Sequence, residues 1–326
     1  MRIALATLAA VQADLADGPW IGILGLPAAI ECDSMVGAAR GPGASCFAGL
    51  YDDWVRASGA RAVGIPHNAF DSNITELNDL LASLDGVLLT GGGLDLAPDG
   101  SAAPYYRTGD HIFHYSIQQK KAGVEFPVHG HCMGFQFLAI LAAQGNTSVL
   151  ESQAFDSEAL SLPLEWTKEA AGTRWYKSLP EDVRETFTHE NATTNLHHDG
   201  VTPDTFFTNP LLPGFFTVIS TNHDRNGKAF LSTMEAKDYP IFGAQWHSER
   251  NLFEWKASQH VDHSPAAVRA NAWTGLSFVA DASTRPVRPR NEELLRRHTT
   301  FGMARSQEGD LLEGYQYIHF GGDVLV

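Results

Sequence analysis

The sequence is poor in cysteine and in positive charge. Three cysteines, Cys32, Cys46 and Cys132, occur in 326 residues. They are too few for a disulfide framework and cannot all pair within one chain, and whether Cys32 and Cys46 pair stays open. The 23 Lys and Arg side chains stand against 38 Asp and Glu, a formal net charge of −15. Because such a surface repels phosphates, we expect no nucleic-acid partner.

Long apolar runs are also missing. No stretch reaches the roughly 18 uninterrupted apolar residues that a membrane-spanning helix needs, so we expect no membrane partner. The start, MRIALATLAAVQA, has one Arg, a short apolar run and small residues typical of a cleavage site. N-x-S/T sequons at Asn73, Asn146 and Asn191 fit a secretory route. The alternative is a cytosolic protein with an alanine-rich start.

What the sequence does contain, from Trp20 to about residue 150, is a regular alternation of apolar strands and amphipathic helices. WIGILGL, ARAVGIP, GVLLTGGG and FPVHGHC are typical of buried strands. Between the first two, an apolar stripe of helical spacing begins at Phe47, and Gly59 is the expected helix end. Strands separated by helices predict an α/β fold with a mostly parallel central sheet flanked by helices.

The pattern changes in the second half of the chain. A turn at Asn226-Gly227 predicts an added antiparallel hairpin, and Ser264 is the expected cap of a later helix. RPVRPRNEELLRR resembles a solvated linker, and GYQYIHF predicts a terminal strand. We expect a leader over residues 1–19, one domain over 20–284, and a C-terminal extension over 285–326 that packs a last strand on the domain.

The pentapeptide GHCMG, Gly130 to Gly134, lies between a predicted strand and a predicted helix. This is the pattern of a nucleophile on a sharp turn, where small flanking residues let strand and helix approach. The turn would place Cys132 at the helix N-terminus, which favours thiolate, and would direct the Met133 N–H at a developing oxyanion. The alternative is a small buried cysteine beside incidental glycines.

A base and an acid follow at the end of a later apolar strand, in GAQWHSE. His247 would accept the thiol proton, and Glu249 would orient the imidazole. The alternative is an ordinary core histidine and a solvated carboxylate.

Three glycines at a strand end, in TGGGLD, let backbone N–H groups approach a ligand closely. A phosphate loop is the alternative, but no Gly-Lys-Ser/Thr follows, and the spacing lacks G-x-G-x-x-G with a subsequent acid. The histidines around Cys132 do not complete a metal-ligand set, so we expect no metal. An oxyanion site is the better interpretation.

LLTGGGLD, FPVHGHCMGFQFL and YPIFGAQWHSE, in that order, resemble the class I glutamine amidotransferase-like superfamily, and within it the gamma-glutamyl hydrolases. The resemblance runs from about Trp20 to Ser283. It implies a flavodoxin-like fold, no cofactor, a homodimer, and a lysosomal, vacuolar or extracellular location. The implied substrate is a folate poly-gamma-glutamate. Other small gamma-glutamyl amides, or an inactive binding protein on the same fold, are the alternatives.

Carried over position by position, the resemblance implies these roles: nucleophile Cys132, base His247, third member Glu249, oxyanion donors Gly92 and Met133, and substrate contacts His197, Gly91 and Gly93. Two positions depart from the family pattern. Ser248 replaces the usual Pro between base and acid, which leaves the direction of the acid open. His131 stands where these hydrolases have a small hydroxyl residue. For the substrate's α-carboxylates, Arg107 is the candidate.

Overall fold

A computed structural model of the chain describes residues 18–32, 41, 43–303, 305–308 and 315–321. The leader expected over residues 1–19 therefore lies almost wholly outside the described residues. None of the helices in the described ranges combines the length and apolar character needed to cross a membrane.

The strands of the described residues form one large sheet and two small ones. In chain order they are β1 Trp20–Leu24, β2 Leu26–Pro27, β3 Ala44–Ala48, β4 Arg61–Ile65, β5 Gly86–Leu89, β6 Val128–His131, β7 Leu160–Leu162, β8 Glu165–Trp166, β9 Thr193–Asn195, β10 Phe216–His223, β11 Ala229–Ala236, β12 Ile241–Ala244, β13 Arg305–Glu308 and β14 Tyr315–Gly321.

The α-helices of the same residues connect and cover these strands. They are α1 Ala28–Glu31, α2 Gly49–Ala57, α3 Ala69–Ser72, α4 Ile74–Ser83, α5 Ala103–Lys121, α6 Met133–Ala142, α7 Arg174–Ser178, α8 Glu181–His189, α9 Pro203–Thr208, α10 Leu212–Phe215, α11 Arg250–Phe253, α12 Pro265–Ala282 and α13 Glu292–His298.

The large sheet has the order β4-β1-β5-β6-β12-β11-β10-β8. From β4 to β12 neighbouring strands run parallel, and from β12 to β8 they run antiparallel. The turn between β10 and β11 contains Gly227, whose φ is +80°. The predicted parallel sheet with an added antiparallel hairpin is confirmed.

Alternating residues of the central strands pack on opposite faces of the sheet. In β5, Val87 and Leu89 belong to the core on the side of α4, while Leu88 packs with Trp54 of α2 and Phe278 of α12. Because both faces are covered, the parallel strands are buried along almost their whole length rather than at alternate residues. The site-bearing strand β6 is therefore held rigidly from both sides.

The first predicted helix starts later than its apolar stripe indicates. Phe47 lies in β3, which pairs with β14 and places Phe47 opposite Ile318, and α2 begins only at Gly49. The prediction of a helix from Phe47 is wrong because a long-range strand pairing overrides the local period. The end predicted at Gly59 is present, with φ +91°, and Ser264 caps α12 by accepting the Ala267 N–H.

The Pro/Arg-rich segment after α12 is not a solvated linker. Arg285 is 8% exposed, and Arg288 and Arg290 both bind the buried carboxylate of Asp85, at 2.8 and 3.1 Å. Buried charges persist in proteins where they are paired. The segment is thus anchored on the domain, and β14 beyond it joins β3.

Candidate active site

Cys132 sits on a strained turn between β6 and α6. Its backbone has φ 51° and ψ −109°, a region that non-glycine residues rarely occupy. A Cβ on Gly130 would lie 2.5 Å from the carbonyl oxygen of Gly134, and one on Gly134 would strike the carbonyl oxygen of Leu89. Neither position accepts a side chain, so the flanking glycines are a steric requirement of the turn.

His247 and Glu249 meet at the end of β12. Nδ1 of the His247 ring lies 2.6 Å from Oε1 of Glu249. The backbone N–H of His247 donates to the carbonyl of Thr194. The Tyr51 hydroxyl lies 3.3 Å from the same Nδ1. With Nδ1–H directed at the carboxylate, Nε2 is the nitrogen left to act as a base. Cys132 and His247 line one pocket of 260 Å³.

Burial and charge act in opposite directions on this pair. Burial lowers the pKa of His247 below its ordinary value, and the charge of Glu249 opposes the shift. Burial alone would raise the pKa of Glu249, but the charge of His247 and hydrogen bonds from His131 and His247 hold that pKa well below its ordinary range. At neutral pH the site thus contains a carboxylate and a neutral base.

The thiol itself is not activated in the way the sequence suggested. Burial raises the pKa of Cys132 to about 12, although Arg250 and the Met133 N–H act to lower it. The expectation that Cys132 is a thiolate is wrong for this structure. The loss of solvation on burial raises the pKa of the thiol more than the helix N-terminus lowers it. Sγ lies 3.8 Å from the Leu196 carbonyl. Attack therefore requires transfer of the thiol proton to a base.

The backbone N–H groups of the three glycines after β5 differ in their hydrogen bonding. The Gly91 N–H donates to the Tyr51 hydroxyl at 2.8 Å, and the Gly93 N–H donates to Oε2 of Glu31 at 2.8 Å. Their N–H groups are therefore bonded within the protein, and the two residues line the pockets at Cys132. Within the described ranges no protein acceptor binds the Gly92 N–H, so that group can serve an oxyanion.

His131 is brought to Glu249, although 118 positions separate the two in sequence. Its Nδ1 lies 3.2 Å from Oε2 of Glu249, and both side chains are buried. The ring packs edge-on against Trp54, with centroids 4.8 Å apart. Glu249 therefore contacts two imidazoles, one on each oxygen.

His197 lines a second, larger cleft of 680 Å³ on the other side of Cys132. Its Nδ1–H donates to the carbonyl of Asp199 at 2.9 Å. Burial lowers its pKa to about 3, so the ring is neutral. Its Nε2 is buried without a partner among the described residues and is available to accept a hydrogen bond from a ligand.

Arg107 is not at the site. Its guanidinium forms a two-point pair with the carboxylate of Asp71, with Nε 2.7 Å from Oδ1, and it lines neither pocket that contains Cys132. Its candidacy for the α-carboxylates is therefore wrong. Among the residues that the structure describes, no three His, Cys, Asp or Glu side chains are arranged to hold a metal ion.

Sequence reasoning missed three residues of the smaller pocket: Tyr51, Glu31 and Arg250. Tyr51 reads as a core position of an amphipathic helix, and Glu31 precedes a cysteine in a segment without periodicity. Arg250 does carry a signal, since it follows Glu249 directly in the sequence. Cys32 and Cys46, next to this pocket, form a disulfide, which leaves Cys132 as the free thiol of the described chain.

The sequence model of the Peptidase C26 family matches residues 19–249. The gamma-glutamyl hydrolase of Rattus norvegicus is 32% identical over 237 residues, 72% of this chain and 71% of that protein. Gamma-glutamyl hydrolase B of Dictyostelium discoideum is 31% identical, over 75% and 68% of the two chains. Gamma-glutamyl hydrolase 1 of Arabidopsis thaliana is 31% identical, over 85% and 75%.

Solved structures give weaker likenesses. PurLQS from Thermotoga maritima covers 80% of this chain and 98% of its own at a TM-score of 0.36 and 12% identity, which supports no conclusion. The family match spans the turn that carries Cys132 and ends at Glu249, the acid of the candidate site. The chain therefore belongs to the Peptidase C26 family, together with the gamma-glutamyl hydrolases, and is a hydrolase.

Proposed function

We propose that the protein hydrolyses gamma-glutamyl amide bonds through a thioester on Cys132. The observation that carries the proposal is the strained turn that presents Cys132 in the same pocket as His247, whose Nδ1 is bonded to the buried Glu249. Nucleophile, base and orienting acid are the three parts that acyl transfer requires.

In the proposed reaction Sγ of Cys132 attacks the side-chain carbonyl carbon while His247 takes the thiol proton. The N–H groups of Gly92 and Met133 donate to the oxyanion. His247 then protonates the departing amine, the C–N bond breaks, and a thioester remains. Water attacks the thioester with His247 as base, which frees the carboxylic acid and returns the proton to sulfur.

The two pockets divide the substrate between them. A leaving amine must reach His247, so it belongs in the 260 Å³ pocket, and the acyl part belongs in the 680 Å³ cleft with His197. Arg250 lines the amine pocket with its side chain 12% exposed, held by Glu254 at 2.9 Å. In place of Arg107, Arg250 is the cation positioned to meet a carboxylate on the leaving group.

A carboxylate-bearing amine is what a folate poly-gamma-glutamate releases, so this is the substrate we propose first. Glutamine and gamma-glutamyl amides of simple amines are the second candidates, and a binding protein without activity is the third. Separate incubation with a pteroyl-penta-gamma-glutamate, glutamine and a gamma-glutamyl-polyamine discriminates among them. The products of the penta-glutamate also distinguish internal from terminal cleavage.

Replacement of the nucleophile is the decisive experiment. Cys132→Ala removes the atom that forms the thioester, so hydrolysis of every gamma-glutamyl substrate should fall to the uncatalysed level while the melting temperature stays near that of the wild type. Full hydrolysis by the folded variant would refute the mechanism. A wild-type thiol that no reagent reaches, together with no turnover, would favour the inactive binding protein.

We further propose secretory targeting by residues 1–19 to a lysosome, vacuole or the extracellular space, a homodimer, and a catalytic domain over 20–284 with 285–326 as a packed extension. The three sequon asparagines, Asn73, Asn146 and Asn191, are all exposed, and a disulfide joins Cys32 to Cys46. Both features suit an oxidising compartment. Glycosidase-sensitive mass and sedimentation of the expressed protein test these proposals.

A further inference from the structure

The carboxylate of Glu249 is completely buried and is shared between two histidines. Oε1 lies 2.6 Å from Nδ1 of His247, and Oε2 lies 3.2 Å from Nδ1 of His131. A carboxylate with one partner would leave a charged oxygen buried and unpaired, which is costly. The contact with His131 pairs this second oxygen.

Hydrogen bonds of the main chain around Glu249, such as that from the His247 backbone N–H to the Thr194 carbonyl, fix the backbone and not the carboxylate plane. β12 ends at Ala244, three residues before His247, and the intervening position between base and acid is Ser248 rather than a proline. The Ser248 hydroxyl is buried without a partner among the described residues. Arg250, from the same segment, has its Nε 4.0 Å from Oε1 of Glu249, whereas Nδ1 of His131 lies 3.2 Å from Oε2.

His131 is itself rigidly held. It lies on β6 opposite Ala244 of β12, is 2% exposed, and packs against Trp54 with the ring centroids 4.8 Å apart. The next residue is Cys132. One strand end therefore positions both the nucleophile and, through Glu249, the base that must face it.

We propose that His131 is a positioning residue: its Nδ1–H holds Oε2 of Glu249, so that Oε1 keeps His247 with Nε2 turned to Cys132. The inference rests on the proposed function, because it assigns His247 as the base. It also connects the two departures from the family pattern. The histidine before the nucleophile supplies the hold on Glu249 that a proline at position 248 would otherwise give through the turn.

His131→Leu removes the donor and keeps a buried apolar side chain. We expect kcat on gamma-glutamyl-p-nitroanilide to fall about 10–100-fold, with little change in KM. Losses of this size are typical when a residue that orients a functional side chain through a hydrogen bond is removed. His131→Asn, whose amide nitrogen lies near the place of Nδ1, should recover most of the loss. Alkylation of Cys132 by iodoacetamide at neutral pH should slow in the Leu variant and recover in the Asn variant.

A matched control is His129, two residues earlier on β6. It is also buried, stacks on Phe278 with centroids 4.2 Å apart, and has an Nδ1 without a partner among the described residues. His129→Leu makes the same replacement on the same strand without touching Glu249. Its kcat should stay close to that of the wild type, and a loss equal to that of His131→Leu would show a packing effect and overturn the inference.

A double variant separates positioning from any independent role. If His131 acts through Glu249, then His131→Leu added to Glu249→Gln should lower kcat no further than Glu249→Gln alone. If the fold losses of kcat in the two single variants multiply in the double variant, the inference is overturned. A folded His131→Leu enzyme with wild-type kcat would overturn it as well. If the wild type hydrolyses no gamma-glutamyl amide, the proposed function fails, and the alkylation rates still report on His131.

Discussion

Two buried carboxylates in this molecule differ in their hydrogen-bond partners. Glu249 is hydrogen-bonded to the imidazoles of His247 and His131, and the Arg250 guanidinium lies farther away, at 4.0 Å. Asp85 is bonded to the guanidinium groups of Arg288 and Arg290. Imidazoles gain and lose protons near neutral pH, whereas guanidinium groups stay charged. The first arrangement suits a site that moves a proton, and the second suits a permanent attachment of the C-terminal extension.

The location of the two carboxylates supports this contrast. Glu249 follows β12, at the edge of the parallel sheet where its strands end and where ligands bind in open α/β folds. Asp85 precedes β5, at the opposite edge, and also accepts the N–H of Trp20 at 2.8 Å. One sheet thus carries chemistry at one edge and structural anchoring at the other.

The largest effect is expected at the catalytic carboxylate. Glu249→Gln keeps the shape but removes the charge that orients and stabilises the imidazole, so kcat should fall by about 10⁴, as for the equivalent change in a serine protease triad. Steady-state kinetics on a gamma-glutamyl amide measure it. A variant within tenfold of the wild type would show that Glu249 is not the orienting acid.

The same variant gives a pH prediction. Burial lowers the pKa of His247 below 6.5 and Glu249 opposes that shift, so the acid limb of wild-type kcat/KM should lie below pH 6.5. Without the carboxylate charge the imidazole pKa falls further, so the residual activity of Glu249→Gln should persist to lower pH. A limb that moves to higher pH would contradict the assignment of His247 as the base.

The structural carboxylate should show the converse behaviour. Asp85→Asn leaves Arg288 and Arg290 without their counter-charge, and breaking such a buried pair should cost about 3 kcal/mol of unfolding free energy. Urea denaturation measures this loss. Because the site is at the other sheet edge, kcat of the folded variant should be unchanged. An equal loss of kcat would show that the two edges are coupled.

The smallest effect is expected at an exposed ion pair between a guanidinium group and a carboxylate. Arg107 and Asp71 are 42% and 34% exposed, so Arg107→Ala should cost less than about 1 kcal/mol of stability. Its KM for a poly-gamma-glutamate should equal that of the wild type, whereas Arg250→Ala should raise KM. A raised KM in Arg107→Ala would return Arg107 to the substrate site.

Local sequence patterns predicted the turn at Cys132 and its neighbours well. Gly130 and Gly134 indicated a close approach of strand and helix, and the structure has no room for a side chain at either. The same reasoning failed at Phe47, where a strand pairing with β14 overrides a helical period. It also failed for the thiol pKa, because the depth of burial around Cys132 depends on residues from several distant segments.

Residue types, spacing and order were sufficient to predict the parallel sheet, the nucleophile turn, and a histidine and a carboxylate at a strand end, because each of these elements has its own periodicity or turn pattern in a few consecutive residues. The tertiary structure alone decided which polar groups meet. His131 reaches Glu249 across 118 positions, and Arg288 reaches Asp85 across 203. Such pairs leave no periodicity in the sequence, since each partner satisfies its own local pattern. Only the packing of β6 against β12 and of the extension near β5 brings these polar groups together.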